Sequence, residues 1–196
     1  MKKVAEKLVQ LNMDLNTGEK ASAEVILFGL RLIIHSVLHV AIILVLAYFF
    51  GFFYEAMVAL VVGSTMKVFS GGAHANHIVK CIIVGTIIYL LIGFSGKHLG
   101  SIVGVNYLIW IVVSLFALYS TYKLAPAPAK NKPIKSFAHK ENLKKLALNV
   151  VSVAIFLSFI VGYILEQSGL FYGVLLALLW QSLSLWPLTF RILESI

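Results

Sequence analysis

The sequence predicts an all-α, polytopic membrane bundle, and three observations predict it. Of 196 residues, 60% are hydrophobic and only 12% charged, and the mean hydropathy is +0.95. An ordinary soluble domain is about half apolar and about a quarter charged. The apolar residues gather in six stretches, and the basic residues are sorted between the connections that separate them. This excludes a water-soluble globule and a disordered tail. A single cysteine, Cys81, excludes an internal disulfide framework. Neither a secretory leader nor a lipid-attachment motif is expected at the N-terminus.

The chain reads as a single membrane domain over 1–196, with interfacial N-terminal helices over 1–30 and a bundle over 31–196. Val4, Leu8, Leu11 and Leu15 recur at helical spacing, with Lys3, Lys7, Gln10 and Asp14 on the other faces. That pattern predicts an amphipathic helix lying on a membrane surface. Asn16 with Glu19 three positions on marks a new helix start.

The six predicted spans are Leu32–Phe50, Tyr54–Met66, Ile78–Ser95, Ile102–Tyr122, Ala147–Leu165 and Gly169–Phe190. A helix needs about 20 residues to cross roughly 30 Å of hydrocarbon. The second is the shortest and carries Glu55 and Lys67 near its ends, so a re-entrant segment is its alternative. The third carries Lys80, placed to snorkel. With six crossings, fifteen of the sixteen Lys and Arg fall on one side and only Lys97 on the other. Basic residues concentrate in cytoplasmic connections, so both termini are expected in the cytoplasm. The net charge of +8 is thus an orientation signal and does not call for nucleic acid. The aromatic run from Tyr48 to Tyr54 suits the outer interface, with Gly51 at the reversal.

A basic cytoplasmic loop is expected over 123–145. Pro126, Pro128 and Pro133 interrupt any regular helix there, and seven lysines accompany them. It reads either as a linker held near anionic lipid or as a docking strip for an acidic peptide.

Chemistry is expected where ionisable groups meet the membrane. The densest stretch runs from Lys67 to Cys81, with a glycine pair, two histidines, two lysines and the lone thiol. A thiol near an imidazole is the minimal apparatus for acyl transfer, the thiolate attacking a carbonyl and the imidazole shuttling the proton. Neighbouring positive charge favours a thiolate, and apolar burial disfavours it. In one continuous helix His77 would face Cys81 four residues on. His74, seven residues away, stands about 10 Å along the axis. It reaches Cys81 only if the helix starts after it and Gly71-Gly72 folds back. The glycine amides are candidate oxyanion donors.

Gly71-Gly72-Ala73-His74-Ala75, with Cys81 seven residues after the histidine, resembles the motif of the accessory gene regulator B (AgrB) family. So does Ala125-Pro126-Ala127 followed by Lys130-Asn131-Lys132-Pro133-Ile134 on the basic loop. Length, span number and loop charge agree, and the resemblance covers essentially the whole chain. It implies a membrane cysteine endopeptidase of Gram-positive quorum sensing, embedded in the cell membrane with its site at the cytoplasmic face. It implies Cys81 as nucleophile and His74 as general base and acid, in place of the His77 that helix spacing favours. Its implied partner is a small AgrD-like precursor, cut on its C-terminal side through an acyl thioester and then closed into a thiolactone or lactone autoinducing peptide. Lys130, Lys132 and Lys135 are candidates to dock the precursor's acidic tail. Ser70, Asn76 and Ser64 are candidates to orient His74, and Gly71 and Gly72 to support the site; Glu55 is expected on the opposite side. No cofactor and no metal are implied. Membrane lipid is the surrounding partner, and a homodimer is left open.

Two other readings were weighed. A small transporter or channel would line a polar path with Lys67, His74, His77 and Lys80. A metal or haem protein would use His35 and His39, four residues apart on the first span. Without a carboxylate companion, these histidines suit interhelical hydrogen bonds better.

Overall fold

The computed structural model describes residues 23–73, 78–127 and 136–195. The amphipathic segment expected over the first residues therefore lies outside the described residues. Those described are helical: α1 (Ala23–Phe49), α2 (Phe53–Ser70), α3 (Ile78–Val103), α4 (Tyr107–Leu124), α5 (Phe137–Phe159, continued by a π turn Ile160–Ile164), α6 (Ser168–Ser184) and α7 (Pro187–Ser195). Two compact units divide the chain, one through Ile42 and one from Ile43 onward. The first contains the N-terminal part of α1, where Ile33, Val37 and Leu38 are exposed. The second contains the rest.

Each expected span has its helix, but lengths and ends differ. Helices α2, α3, α4 and α5 with its π turn are long and apolar enough to cross a membrane. α6 and α7 together would make a fifth span but bend by 85° at their junction, and the apolar part of α1, Ile33–Phe49, is shorter. The described helices thus define a multi-pass membrane protein, with four or five helices long and apolar enough to span among the described residues. The expected straight span Gly169–Phe190 breaks because Leu185 and Trp186 leave the helix and Pro187, lacking an N–H, opens the next one.

Two other boundaries move. α3 runs past the expected end at Ser95 to Val103, and the reversal falls at Gly104–Asn106. Gly104 takes φ 64°, and the Asn106 side chain accepts from the amides of Leu108 and Ile109 to start α4. The basic connection is shorter than 123–145. Lys123 ends α4, and Lys140, Lys144 and Lys145 ride on α5, which Ser136 caps. Lys145 pairs with Glu141 one turn back at 3.3 Å, and Lys144 lies 4.4 Å over the Tyr122 ring.

Within the second unit, α6 is the centre. Phe171, Tyr172, Val174, Leu175 and Leu178 are buried on it, packed with Met66 of α2, Ala117 of α4, and Val151 and Ala154 of α5. A helix apolar all round belongs inside a bundle, whereas the remaining helices expose many large apolar side chains. That outward apolar surface fits lipid. α3 meets α6 through glycine. A Cβ on Gly96 would sit 3.0 Å from the Gly173 nitrogen, and one on Gly100 2.5 Å from the Gly169 nitrogen. Small residues let membrane helices approach to backbone contact, and the Ser168 hydroxyl adds a 3.0 Å hydrogen bond to the Gly100 carbonyl. Gly100→Ala forces backbone apart, and overpacking of this kind costs about 1–3 kcal/mol. A lowered thermal midpoint of the detergent-solubilised protein is the expected result.

The bundle has two distinguishable ends. At one, Lys97 donates to the Gly51 carbonyl at 2.6 Å and Glu55 lies against Gly169. At the other, α2 ends and the thiol-bearing turn of α3 begins.

Candidate active site

The site is assembled where α2 stops. Ser70 is its last residue, and Gly71 follows at φ 72°, ψ −142°, with Gly72 at φ 126°. L side chains rarely adopt such conformations, so the glycine pair is what turns the chain out of α2 into an extended crossing, residues 71–73. The crossing is tied from two sides.

On one side stands the Ala125-Pro126-Ala127 segment that follows α4. The Ala127 amide donates to the Ser70 carbonyl at 2.8 Å, and the Gly72 amide donates to the Ala127 carbonyl at 3.1 Å. Gly71 and Ala127 thereby form a parallel bridge. The two motifs that carry the family resemblance, more than fifty residues apart, touch here.

On the other side stands the C-terminal end of α6. The Gln181 amide nitrogen donates to the Gly71 carbonyl at 2.8 Å and to the Ser70 hydroxyl at 3.1 Å. The Ala73 amide donates to the Ser184 carbonyl at 2.9 Å. Gln181, Ser184 and Ser70 are all buried. Gly72 has no room for a side chain, since a Cβ would lie 2.6 Å from the Ser184 hydroxyl.

Lys67, in the last turn of α2, holds the far end of the crossing. Its ammonium donates to the Ala73 carbonyl at 3.3 Å. Lys67 thereby ties the last turn of α2 to the backbone that leads directly into His74. Cys81 is half-buried near the start of α3, with its thiol free.

The expected supporting residues separate. The Ser70 hydroxyl donates to the Met66 carbonyl at 2.8 Å and accepts from Gln181, so it serves the crossing. Ser64 hydrogen-bonds the Tyr89 hydroxyl. The Gly71 amide donates to the Lys67 carbonyl and the Gly72 amide to Ala127, so neither is free to act as the oxyanion donor the sequence suggested. Glu55 lies twelve residues before Lys67 on the same helix, about 18 Å along the axis at 1.5 Å per residue. His74, Asn76, His77, Lys130, Lys132 and Lys135 lie outside the described residues. Among the described residues, no three His, Cys, Asp or Glu side chains gather as metal ligands.

Sequence reasoning passed over Gln181. Its signal was present: an amide in an otherwise apolar helix must find a partner in the hydrocarbon.

These features define a class: a multi-pass helical membrane protein with a glycine-built crossing held by a lysine at the end of one helix and a lone cysteine near the start of the next. The family model for accessory gene regulator B matches residues 1–185. An AgrB-like protein of Clostridium perfringens strain SM101 is 30% identical over 83% of this chain and 80% of its own length. An AgrB-like protein 2 of Clostridium perfringens strain 13 is 28% identical over 94% and 88%. An AgrB-like protein of Halalkalibacterium halodurans is 22% identical over 93% and 85%. No solved structure matches. The chain belongs to the accessory gene regulator B family, which links it to the accessory gene regulator system.

Proposed function

We propose that this protein is a membrane-embedded cysteine endopeptidase that processes an AgrD-like precursor peptide into a cyclic autoinducing peptide. The observation that carries the reading is the glycine-built crossing Gly71–Ala73, tied to the Ala125–Ala127 segment and leading directly to His74, with Cys81 near the start of the next helix. A thiol within reach of an imidazole is the minimal apparatus of acyl transfer, and His74 is the next residue after Ala73.

The reaction has two balanced acyl transfers. His74 takes the Cys81 thiol proton, and the sulfur attacks the scissile carbonyl carbon. The C–N bond breaks, His74 returns the proton to the leaving amine, and the C-terminal tail departs, leaving a thioester on Cys81. A thiol or hydroxyl within the precursor then attacks the same carbonyl. The C–S bond to Cys81 breaks, the ring closes as a thiolactone or lactone, and the Cys81 thiol is restored. Exchange of one thioester for another is nearly balanced, so water must be kept from the acyl group; a site recessed at the membrane face favours that. We place this face in the cytoplasm, on the sorting of basic residues, and the protein in a Gram-positive bacterium, on its family resemblance.

The direct test is capture of the acyl intermediate. Intact mass of the protein mixed with precursor should gain the N-terminal fragment, and hydroxylamine should release it. A stable adduct elsewhere than Cys81 would sink the scheme.

Lys130, Lys132 and Lys135 are assigned to docking the acidic tail. Exposed pairs contribute about 0.2–1 kcal/mol each. Replacing all three with Gln should therefore raise the KM for precursor on the order of tenfold and leave kcat nearly unchanged. The wild-type KM should rise with ionic strength, and the variant's should not.

A further inference from the structure

The bend after α6 is built from specific contacts. The Trp186 indole donates to the buried Ser120 hydroxyl on α4 at 3.1 Å and lies parallel to the Phe116 ring. Leu185 is buried with Ala125 and Ala147, beside the segment that holds the crossing. The Thr189 hydroxyl donates to the Leu183 carbonyl at 2.6 Å, so the acceptor at the break is satisfied from α7 itself. α7 is thereby fixed at 85° to α6, the central helix of the bundle, and runs along the bundle end rather than through it. Its nine residues are two-sided. Leu193 is buried, whereas Leu188 and Ile192 are 67% and 52% exposed. At about 100° per residue the order around the helix is Arg191, Leu188, Ile192, Leu193. The exposed apolar pair therefore forms a flank between the bundle side and the charged side. The same end of the bundle carries Lys123 at the close of α4 and Lys140 and Lys144 at the opening of α5. An apolar flank lying across the end of a membrane bundle, in company with cations, is complementary to an anionic lipid surface.

We propose that α7 is an interfacial helix that docks on the bilayer, with Leu188 and Ile192 among the acyl chains of the nearer leaflet and Arg191 at anionic headgroups. Trp186 at its root suits that depth, since indole rings collect at the membrane interface. The docking also bears on the crossing. Ser184, three residues before Pro187, accepts from the Ala73 amide, and Leu185 packs on Ala125. An anchored α7 thus steadies the end of α6 on which the crossing rests. Nothing in this depends on the chemistry of Cys81.

Spin labels read the depth of the helix directly. Cys81 is the chain's only cysteine, so Cys81→Ser supplies the background for Leu188→Cys, Ile192→Cys and Arg191→Cys. Each full-length protein is labelled with a nitroxide in vesicles of phosphatidylcholine and phosphatidylglycerol, and its relaxation by oxygen and by a water-soluble nickel chelate is compared. The oxygen preference at Leu188 and Ile192 should exceed that at Arg191 by about threefold or more. The same nickel-chelate access at all three positions would put α7 in water. Labels at Leu188 and Ile192 shielded from both relaxants would mean a protein cover, residues 1–22 or a second copy. Either result overturns the proposal. All three positions are exposed and accept a label, and if one apolar variant does not fold the other carries the comparison. The anionic contact is read from Leu188→Cys in vesicles with and without phosphatidylglycerol. Its oxygen preference should rise about twofold with that lipid, and the rise should vanish when Arg191→Gln is added. A preference indifferent to phosphatidylglycerol overturns the role given to Arg191.

Discussion

Cys81→Ala should abolish release of the precursor's C-terminal tail in membranes that co-express the two polypeptides, and His74→Ala should do the same. The expected loss is on the order of 10⁴-fold or more, since removing a covalent nucleophile or its base collapses the unit in which they act. Neither loss should come from unfolding. Cys81 is only half-buried with a free thiol, and alanine removes one sulfur atom from it. Membrane content and the elution profile in detergent should match the wild type. His77→Ala is the discriminating control, because helix spacing alone would choose His77 as the base. It should keep activity within about threefold. Activity lost in His77→Ala and kept in His74→Ala would reverse the assignment; unchanged cleavage in Cys81→Ala would end the peptidase reading.

Gly71→Ala is the second large effect, and it acts on the scaffold. The new Cβ would fall on the carbonyl of Ala127, a backbone group that cannot swing aside. The residue also sits at φ 72°, ψ −142°, where L residues pay about 1–3 kcal/mol in strain. Overlap adds a comparable amount, again about 1–3 kcal/mol. The crossing should be driven off the Ala125–Ala127 segment, with a lower unfolding midpoint and cleavage reduced at least about tenfold. Restoring space by altering Ala127 should not rescue it, since the clash is with its main chain. A Gly71→Ala protein with wild-type midpoint and cleavage would show that this bridge does not matter.

Composition and charge made the fold class legible, because the hydrocarbon core imposes one requirement on every span. Apolar runs located every helix but not its ends. α5 begins ten residues before the apolar run at Ala147, since Lys140, Glu141, Lys144 and Lys145 are helix formers outside the hydrocarbon rather than loop residues. The reversal at Gly104–Asn106 was written in an Asn cap, and the bend after α6 in Pro187; neither changes a hydropathy average. At the site, Cys81 and the glycine pair were legible as residue types with a chemistry. The coupling of Gly71 to Ala127 and to Gln181 was not, because contacts across 56 and 110 positions leave no local pattern.

The bridge between Gly71 and Ala127 also makes the basic connection a cassette. Its entry is pinned at Ala127 and its exit at Ser136, whose hydroxyl accepts from the His139 amide to open α5. Exchange of the stretch between these two anchors for that of a relative is expected to leave the hydrogen bonds at both anchors in place. On the proposed peptidase reading, recognition and cutting of the precursor would then be inherited separately, and grafts confined to 128–135 are the place to re-address the protein to a foreign signal peptide.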